Sequence, residues 1–491
     1  MDTELHFAPK LNTSLLKSNI TFDELQEMKP KHLTRWAEIL RTELKDNWDY
    51  RNIPPQIGKS DLDIIDSFGK LKDFDISGLW VEDLSNQYEL GVIKNFTKMG
   101  SCVNQFFPHL LKSRVRGYSI YDFLTDENLY NQFYQRVIKK TRFDGMYLYT
   151  KNLYNNQSIA DTDYFILWYK EYGDKYGFYL EPQNPLNNEV IRDKLYLSPS
   201  SIKNLMKEGI LEEKHFSNIV LETELNENDG FYVRYYNKEQ RIFPNILQVL
   251  RLGLGQVAVN FNPLTARLIY EHFLTDTNST QIIYDPSAGW GGRLLGSLCS
   301  NRLIHYIGTD VNTNNKGCYE QLGEVYNKFC NGGNSYEIFY EGSELIHKNP
   351  SFQKYKGRLD LCFTSPPYFA RELYSQDKEQ SVLKYPTYGE WKDKFLSTTI
   401  KNCFDYLKEN RYMLINISNI KIYGHEFIPL VEDVISISSE IGLDYCGDIG
   451  MCMSRNMGLD VNNSLSNWND ITNDTKYKTE PILVFRKNYR G

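Results

Sequence analysis

From about residue 251 onward, short apolar runs rich in Ile, Val, Tyr and Phe alternate with longer stretches of helical periodicity. That alternation predicts a parallel sheet whose strands are joined by crossover helices. The predicted strands are 281–285 (QIIYD), 305–310 (HYIGTD), 336–340 (YEIFY), 359–364 (LDLCFT), 412–417 (YMLINI), 444–449 (DYCGDI) and 481–485 (PILVF). Between the fourth and fifth, Trp391, Phe395, Leu396, Ile400, Cys403, Phe404 and Leu407 fall on one helical face, and a second crossover helix is predicted over 426–441. The polar stretch 454–479 reads as a long loop before the last strand. Seven strands in this order predict a doubly wound α/β sheet closed by a late antiparallel strand.

The first 250 residues read differently, as mixed helix and loop heavy in aromatic and charged residues. One helix start is legible at Thr21–Glu24, where TFDE has capping-box spacing and Leu25, Leu33, Trp36, Ile39 and Leu40 follow as an apolar stripe. A chain of 491 residues exceeds one ordinary core, which stops growing near ~250–300 residues. Two domains are expected, 1–250 mostly helical or mixed and 251–491 α/β.

Composition changes this picture only a little. A hydrophobic fraction of 41% with 14% aromatics fills packed cores and excludes a largely disordered chain. The formal charge of -7 argues against a uniformly basic nucleic-acid binder, so any such contact must use a local patch. The eight cysteines are scattered, only Cys446 and Cys452 approach one another, and no Cys/His cluster has zinc spacing. No metal is expected. The N-terminal residues carry no signal-like pattern and no run of ~18 apolar residues occurs, so the expectation is a cytoplasmic protein that does not span a membrane.

Three motifs carry candidate chemistry. DPSAGWGGRLLG (285–296) follows an apolar strand and leads into a helical pattern, where a Gly-containing turn lets a ligand approach free backbone amides; a simple tight turn is the alternative. Asp310 ends the second strand, 19 residues beyond Gly291, where a carboxylate can accept from a ribose diol or instead cap the following helix. TSPPYF (364–369) leaves the fourth strand. There, Pro366 and Pro367 form a stiff loop without amide donors, Ser365 adds a hydroxyl and Tyr368 a planar face. A base amino group needs acceptors for its hydrogens and an aromatic surface for its ring, and this loop offers both.

DPSAGWGG, Asp310, TSPPY, LKENRYMLINIS and EPILVFRK together resemble the amino-methyltransferase family of DNA methyltransferases over about 255–487. SPPY is closer to the N4-cytosine members than to the N6-adenine members. The resemblance implies a Rossmann-like seven-stranded methyltransferase sheet with S-adenosylmethionine as cofactor. It implies Asp285, Gly289 and Gly291 near the methionyl region, Asp310 at the ribose, Ser343 at the adenine end, and Asn262 with Pro263 on an extra helix reaching the methionyl group. Ser365, Pro366, Pro367 and Tyr368 become the catalytic loop around a flipped DNA base. Trp290 and Arg293 depart from the small residues common after the first glycine, and Asn419 stands where Asp often follows the fifth strand.

Without a large insert between the cofactor loop and SPPY, recognition is expected in the N-terminal half. KSRVRGY (112–118) and QRVIKKTR (135–142) place Arg114, Arg116, Lys139 and Lys140 near Phe106, Phe107, Tyr118, Phe133 and Tyr134, which suits phosphate contact and base stacking. A solvated helix face over a core stripe is the alternative. The expected function is methylation of a DNA amino group, cytosine N4 before adenine N6. An RNA or protein amino-methyltransferase and a noncatalytic nucleic-acid-binding module remain competing readings, while a nicotinamide dehydrogenase would need the GxGxxG that 289–293 lacks.

Overall fold

Leu359–Thr364 is buried at all six positions, as a strand covered on both faces must be, and it sits at the centre of a ten-stranded sheet. The computed structural model describes residues 18–21, 24, 28–51, 61–95, 99–115, 118–129, 207, 259–330, 333–421, 427–455, 467–470 and 475–489, together with the backbone of strands 146–150, 179–184, 189–197 and 231–235. In chain order the large sheet comprises β1 (Trp80–Val81), β2 (Val92–Ile93), β3 (Gln281–Asp285), β4 (Ile304–Thr309), β5 (Ser335–Phe339), β6 (Leu359–Thr364), β7 (Leu407–Asn416), β8 (Asp444–Arg455), β9 (Asn467–Asp470) and β10 (Thr475–Lys487).

Its spatial order is β1-β2-β8-β10-β7-β6-β3-β4-β5, with β9 on β10. The strands from β5 through β4, β3 and β6 to β7 are parallel, while β10 lies antiparallel between β7 and β8. This is the doubly wound sheet that the periodicity predicts, late antiparallel strand included. The chain winds outward in both directions from β3 and β6, so the carboxyl ends of these two neighbours form the topological switch point where such sheets open a crevice.

Two apolar layers cover the sheet. On one face lie α4 (Pro263–Phe273), α5 (Gly292–Leu298) and α6 (Cys318–Cys330), and on the other α7 (Ser397–Tyr406), continuing a π-helical turn at Trp391–Leu396, and α8 (Leu430–Ile441). The first layer also contains residues from far upstream. Ile64, Phe68 and Leu71 of α2 (Asp61–Asp73), with Phe106, Phe107 and Leu110, share one core with Leu294, Leu322 and Tyr326. Phe68 stacks on Phe106 at 6.1 Å and tilts against Tyr326 at 5.4 Å. β2 joins the sheet itself, parallel to β8. The expected division at 250 therefore does not follow the packing of residues 61–110, which complete the core of the α/β part.

Three local expectations also shift. The Thr21–Glu24 capping box forms, with Glu24 N donating to Thr21 Oγ1 at 3.2 Å, but α1 (Pro30–Arg51) begins at Pro30, whose missing amide suits a first helical turn. Leu33, Trp36 and Leu40 are buried along it, while Ile39 is 44% exposed. Much of the polar stretch 454–479 is paired sheet, because Trp468 buries its ring against Tyr477 and donates to Asp83 Oδ1 at 2.7 Å. A four-stranded antiparallel sheet, ordered 146–150, 231–235, 189–197 and 179–184, occupies part of what reads as helix and loop.

Gly291 shows how tightly the upstream segment is fitted. Its φ is +75°, and a Cβ there would lie 2.4 Å from the Phe107 ring. Gly291→Ala combines left-handed backbone strain with overpacking and is expected to destabilise the protein by about 2–4 kcal/mol. Thermal unfolding should show a smaller penalty for the same change in a Phe107→Leu background.

Candidate active site

At the switch point the end of β3 is fixed by a buried carboxylate. Asp285 Oδ2 accepts from Arg293 Nε at 2.7 Å and from the Tyr306 hydroxyl at 2.6 Å, while Oδ1 accepts from Thr364 Oγ1 at 3.0 Å and from Ser287 N at 3.2 Å. The contacts come from α5, β4, β6 and the loop itself. Burial works against the Arg293 charge, yet the adjoining Asp285, 2.7 Å away, raises its pKa above the ordinary arginine value. Asp285, expected beside a cofactor, thus has its acceptors committed within the protein and does not line the cavity. Arg293, which looked like a departure from the motif, is the partner that makes this possible.

The glycines divide in the same way. Gly289, at φ +61°, lines the cavity, and a Cβ on it would meet only Ser287 O, at 3.6 Å. Gly291, expected at the cofactor, instead makes room for Phe107 and is not a lining residue. The loop is held from below by Asn260, which accepts from Gly292 N at 3.1 Å and donates to Trp290 O at 2.5 Å.

Asp310 follows β4 and is half-buried at the cavity wall. Its Oδ1 accepts from Asn312 N at 2.8 Å and its Oδ2 from Asn315 Nδ2 at 2.9 Å and from the Tyr319 hydroxyl. Asn312, rather than Asp310, caps the short helical turn Thr313–Asn315. Burial pushes the Asp310 pKa up, and the donors Tyr319, Asn312 and Asn315 pull it back. Asn315 Nδ2 also donates to Gly289 O at 3.1 Å, and the Tyr319 hydroxyl shares its one proton between that oxygen and Asp310, which ties the second-strand acid to the glycine loop.

Across the switch point, Ser365, Pro366, Pro367 and Tyr368 all line the same cavity, which has a volume of about 440 Å³. Burial pushes the Tyr368 phenol well above its usual range. The next residue, Phe369, sits at φ +45°, a conformation a non-glycine residue adopts at a cost, with its ring packed 5.5 Å from Tyr388 and 5.8 Å from Trp391. Glu372–Leu373 then pairs antiparallel with Arg114–Val115, which links the loop directly to the upstream segment.

Asn262 lines the cavity and caps α4 by accepting from Leu264 N at 2.9 Å. Ser343 also lines it, with its hydroxyl paired to Thr399 Oγ1 at 2.9 Å. Arg114 is ion-paired with Asp122 at 3.0 Å, and Phe106 and Phe107 are core residues rather than stacking surfaces. Tyr118 is 48% exposed. Arg116, Lys139, Lys140, Phe133 and Tyr134 lie outside the described residues. Sequence reasoning missed Asn260, Asn312, Asn315, Asn416 and Glu480; Glu480 heads EPILVFRK, but strand alternation alone does not reveal that its face opens into a cavity.

Residues 359–491 match the model of a family described as DNA methylase, of the N6 and N4 type. The match begins at β6 and takes in the SPPY loop; the glycine-loop half of the sheet lies upstream of it. Among solved structures, an S-adenosylmethionine-dependent methyltransferase from Methanosarcina mazei aligns with 13% identity and a TM-score of 0.29, over 45% of this chain and 98% of that one. A provisionally named DNA modification methylase from Thermus thermophilus aligns with 18% identity and a TM-score of 0.21, over 31% of this chain and 53% of that one. No curated protein sequence matches the chain.

The cavity residues fit S-adenosylmethionine, the cofactor that the sequence resemblance implies. Beside Asp310, the buried Asn312 Nδ2 and Asn315 Oδ1 have no partner within the protein, so a polar ligand there meets both a donor and an acceptor. No helix among the described residues is long and apolar enough to cross a membrane.

The two acids should separate on mutation. Asp285→Ala leaves the Arg293 charge buried without its partner and is expected to cost about 3–5 kcal/mol in unfolding experiments. Asp310→Ala takes the shared acceptor from Asn312, Asn315 and Tyr319 and is expected to cost less, about 1–3 kcal/mol in unfolding, while weakening cofactor binding by calorimetry roughly 10- to 100-fold.

Proposed function

We propose that this protein transfers a methyl group from S-adenosylmethionine to an exocyclic amino group of a DNA base, with cytosine N4 favoured over adenine N6. The observation that supports it most is the opening of Ser365–Tyr368 into the same cavity as Gly289 and Asp310, since methyl transfer needs donor and acceptor sites side by side.

In this reading Asp310 holds the ribose, with Gly289 and Asn262 along the methionyl region and Ser343 toward the adenine end. The cofactor, when bound, supplies an electrophilic methyl on a positively charged sulfonium. The chain's own residues do the positioning. Ser365 and the Pro366 carbonyl accept the two amino hydrogens, which directs the nitrogen lone pair away from them and toward the cofactor side. Pro367 stiffens the loop so that those acceptors hold their direction, and Tyr368 presents a ring face to a base that has left the stack. No nucleophilic cysteine is required; Cys362 is buried in the core.

DNA recognition is assigned to basic residues of the N-terminal half. Because Arg114 is held by Asp122, the working set narrows to Arg116, Lys139 and Lys140. Reversing these three charges should lower DNA affinity and flatten its salt dependence while leaving cofactor affinity unchanged.

The catalytic loop is tested by Tyr368→Ala and Ser365→Ala. Both variants are expected to bind S-adenosylmethionine as wild type does. Tyr368→Ala should lower turnover at least roughly tenfold, since a lost base-stacking surface is worth about 1–3 kcal/mol. Methyl transfer from labelled cofactor to DNA, RNA and protein separates the substrate classes, and mass spectrometry of product nucleosides separates cytosine N4 from adenine N6. Undiminished transfer by both folded variants would remove the loop from the reaction.

A further inference from the structure

Glu480 stands in β10 immediately before Pro481, at the wall of the cavity that contains the SPPY loop. Its register partner on β8 is Met451, and Met451, Cys452 and Met453 line the same side. Pro481 O is anchored from β7, accepting from Asn416 Nδ2 at 3.1 Å and from Ile417 N at 3.3 Å, so the strand position that presents Glu480 is fixed. Its electrostatic influence reaches Tyr368 of the catalytic loop. The wall thus sets a carboxyl group beside the sulfur-bearing side chains of β8 and the polar Arg371, Glu372 and Asn416, in the same cavity as the acceptors Ser365 and Pro366.

This composition has a chemical complement. In both cytosine and adenine, the exocyclic amino group lies next to a ring nitrogen that only accepts hydrogen bonds. Ser365 and the Pro366 carbonyl offer acceptors for the amino group but nothing for the ring nitrogen. A neutral carboxylic acid can donate its O–H to that nitrogen.

We propose that Glu480 is a base-recognition residue whose protonated carboxyl donates to the ring nitrogen adjacent to the target amino group, selecting amino bases over keto bases. The inference rests on the amino-methyltransferase reading above. A keto base presents an N–H at the corresponding ring position, which cannot accept from Glu480 and would confront its donor.

The surroundings favour the neutral acid. Burial pushes the Glu480 carboxyl above the usual carboxylate range, and Glu372 pushes it further; Arg371 and Lys478 pull it back, as does the Asn416 side chain. These groups come from the segment after the SPPY loop, from β10 itself and from β7, while the β8 residues beside it carry no charge. A group with a raised pKa keeps its proton at lower pH and loses it as pH rises through that value. The contribution of Glu480 to transfer is therefore present on the acid side and disappears on the alkaline side.

Full-length wild type, Glu480→Gln and Glu480→Ala are compared on unmethylated plasmid DNA with labelled S-adenosylmethionine, and kcat/KM is followed against pH. Glutamine keeps a donor and an acceptor but does not titrate. Glu480→Ala is expected to lose roughly tenfold or more in kcat/KM, as a lost hydrogen bond to a buried partner does. Glu480→Gln is expected to stay within about threefold of wild type and to lack the alkaline decline. Cofactor affinity by calorimetry should be the same in all three proteins, which also establishes that the variants are folded. Glu480→Gln as impaired as Glu480→Ala, an unimpaired Glu480→Ala, or an alkaline decline retained in Glu480→Gln would each overturn the assignment while leaving the amino-methyltransferase reading intact. Absence of any transfer to DNA by the wild type would overturn both.

Discussion

The buried carboxylate of Asp285 holds four pieces of chain together where the sheet reverses its winding. It takes hydrogen bonds from Arg293, Tyr306, Thr364 and Ser287, and so joins the glycine loop, β4 and the exit of β6 at one point. Burying an ion pair is costly, and the desolvation of Asp285 and Arg293 is offset only because the carboxylate is saturated with donors. The return is geometric. The start of the glycine loop and the start of the SPPY loop are held to the same carboxylate, so the two sides of the cavity cannot drift apart independently.

A second constraint extends that one outward. Tyr319 and Asn315 connect Asp310 to Gly289 O, and Asn260 holds the far side of the glycine loop. Phe107 fills the space above Gly291, and Arg114–Val115 pairs with the strand that follows Phe369. The upstream segment is therefore built into both loops of the site rather than appended to a finished domain.

The cavity has two regions of different chemical character. Around Asp310, unpartnered Asn312 Nδ2 and Asn315 Oδ1 provide polar chemistry suited to a sugar and its substituents. Around Tyr368 and Glu480, an aromatic face and the sulfur-bearing side chains of β8 stand beside the charged Arg371 and Glu372. The SPPY loop lies between them, its direction fixed by consecutive prolines and by the strained but tightly packed Phe369.

Much of this was legible in the chain itself. Period-2 and period-3.6 patterns determined the alternating strands and helices after residue 251, because a strand or helix with one fate for each face must write that fate into its sequence. DPSAGWGG, Asp310 and TSPPYF were readable as a site because a doubly wound sheet brings the ends of its first, second and fourth strands to one crevice. Only the tertiary structure decided what each side chain faces. Asp285 and Gly291 read as ligand contacts but serve Arg293 and Phe107, and Glu480, which stood just ahead of the last strand read from the sequence, lines the cavity. Residues 61–110 carried no signal of belonging to the α/β core, and Trp468 hid a strand within a polar stretch. The reason is common to all of them: local periodicity encodes which positions are buried, whereas the partner that buries them often lies far away along the chain and is fixed only when the sheet closes.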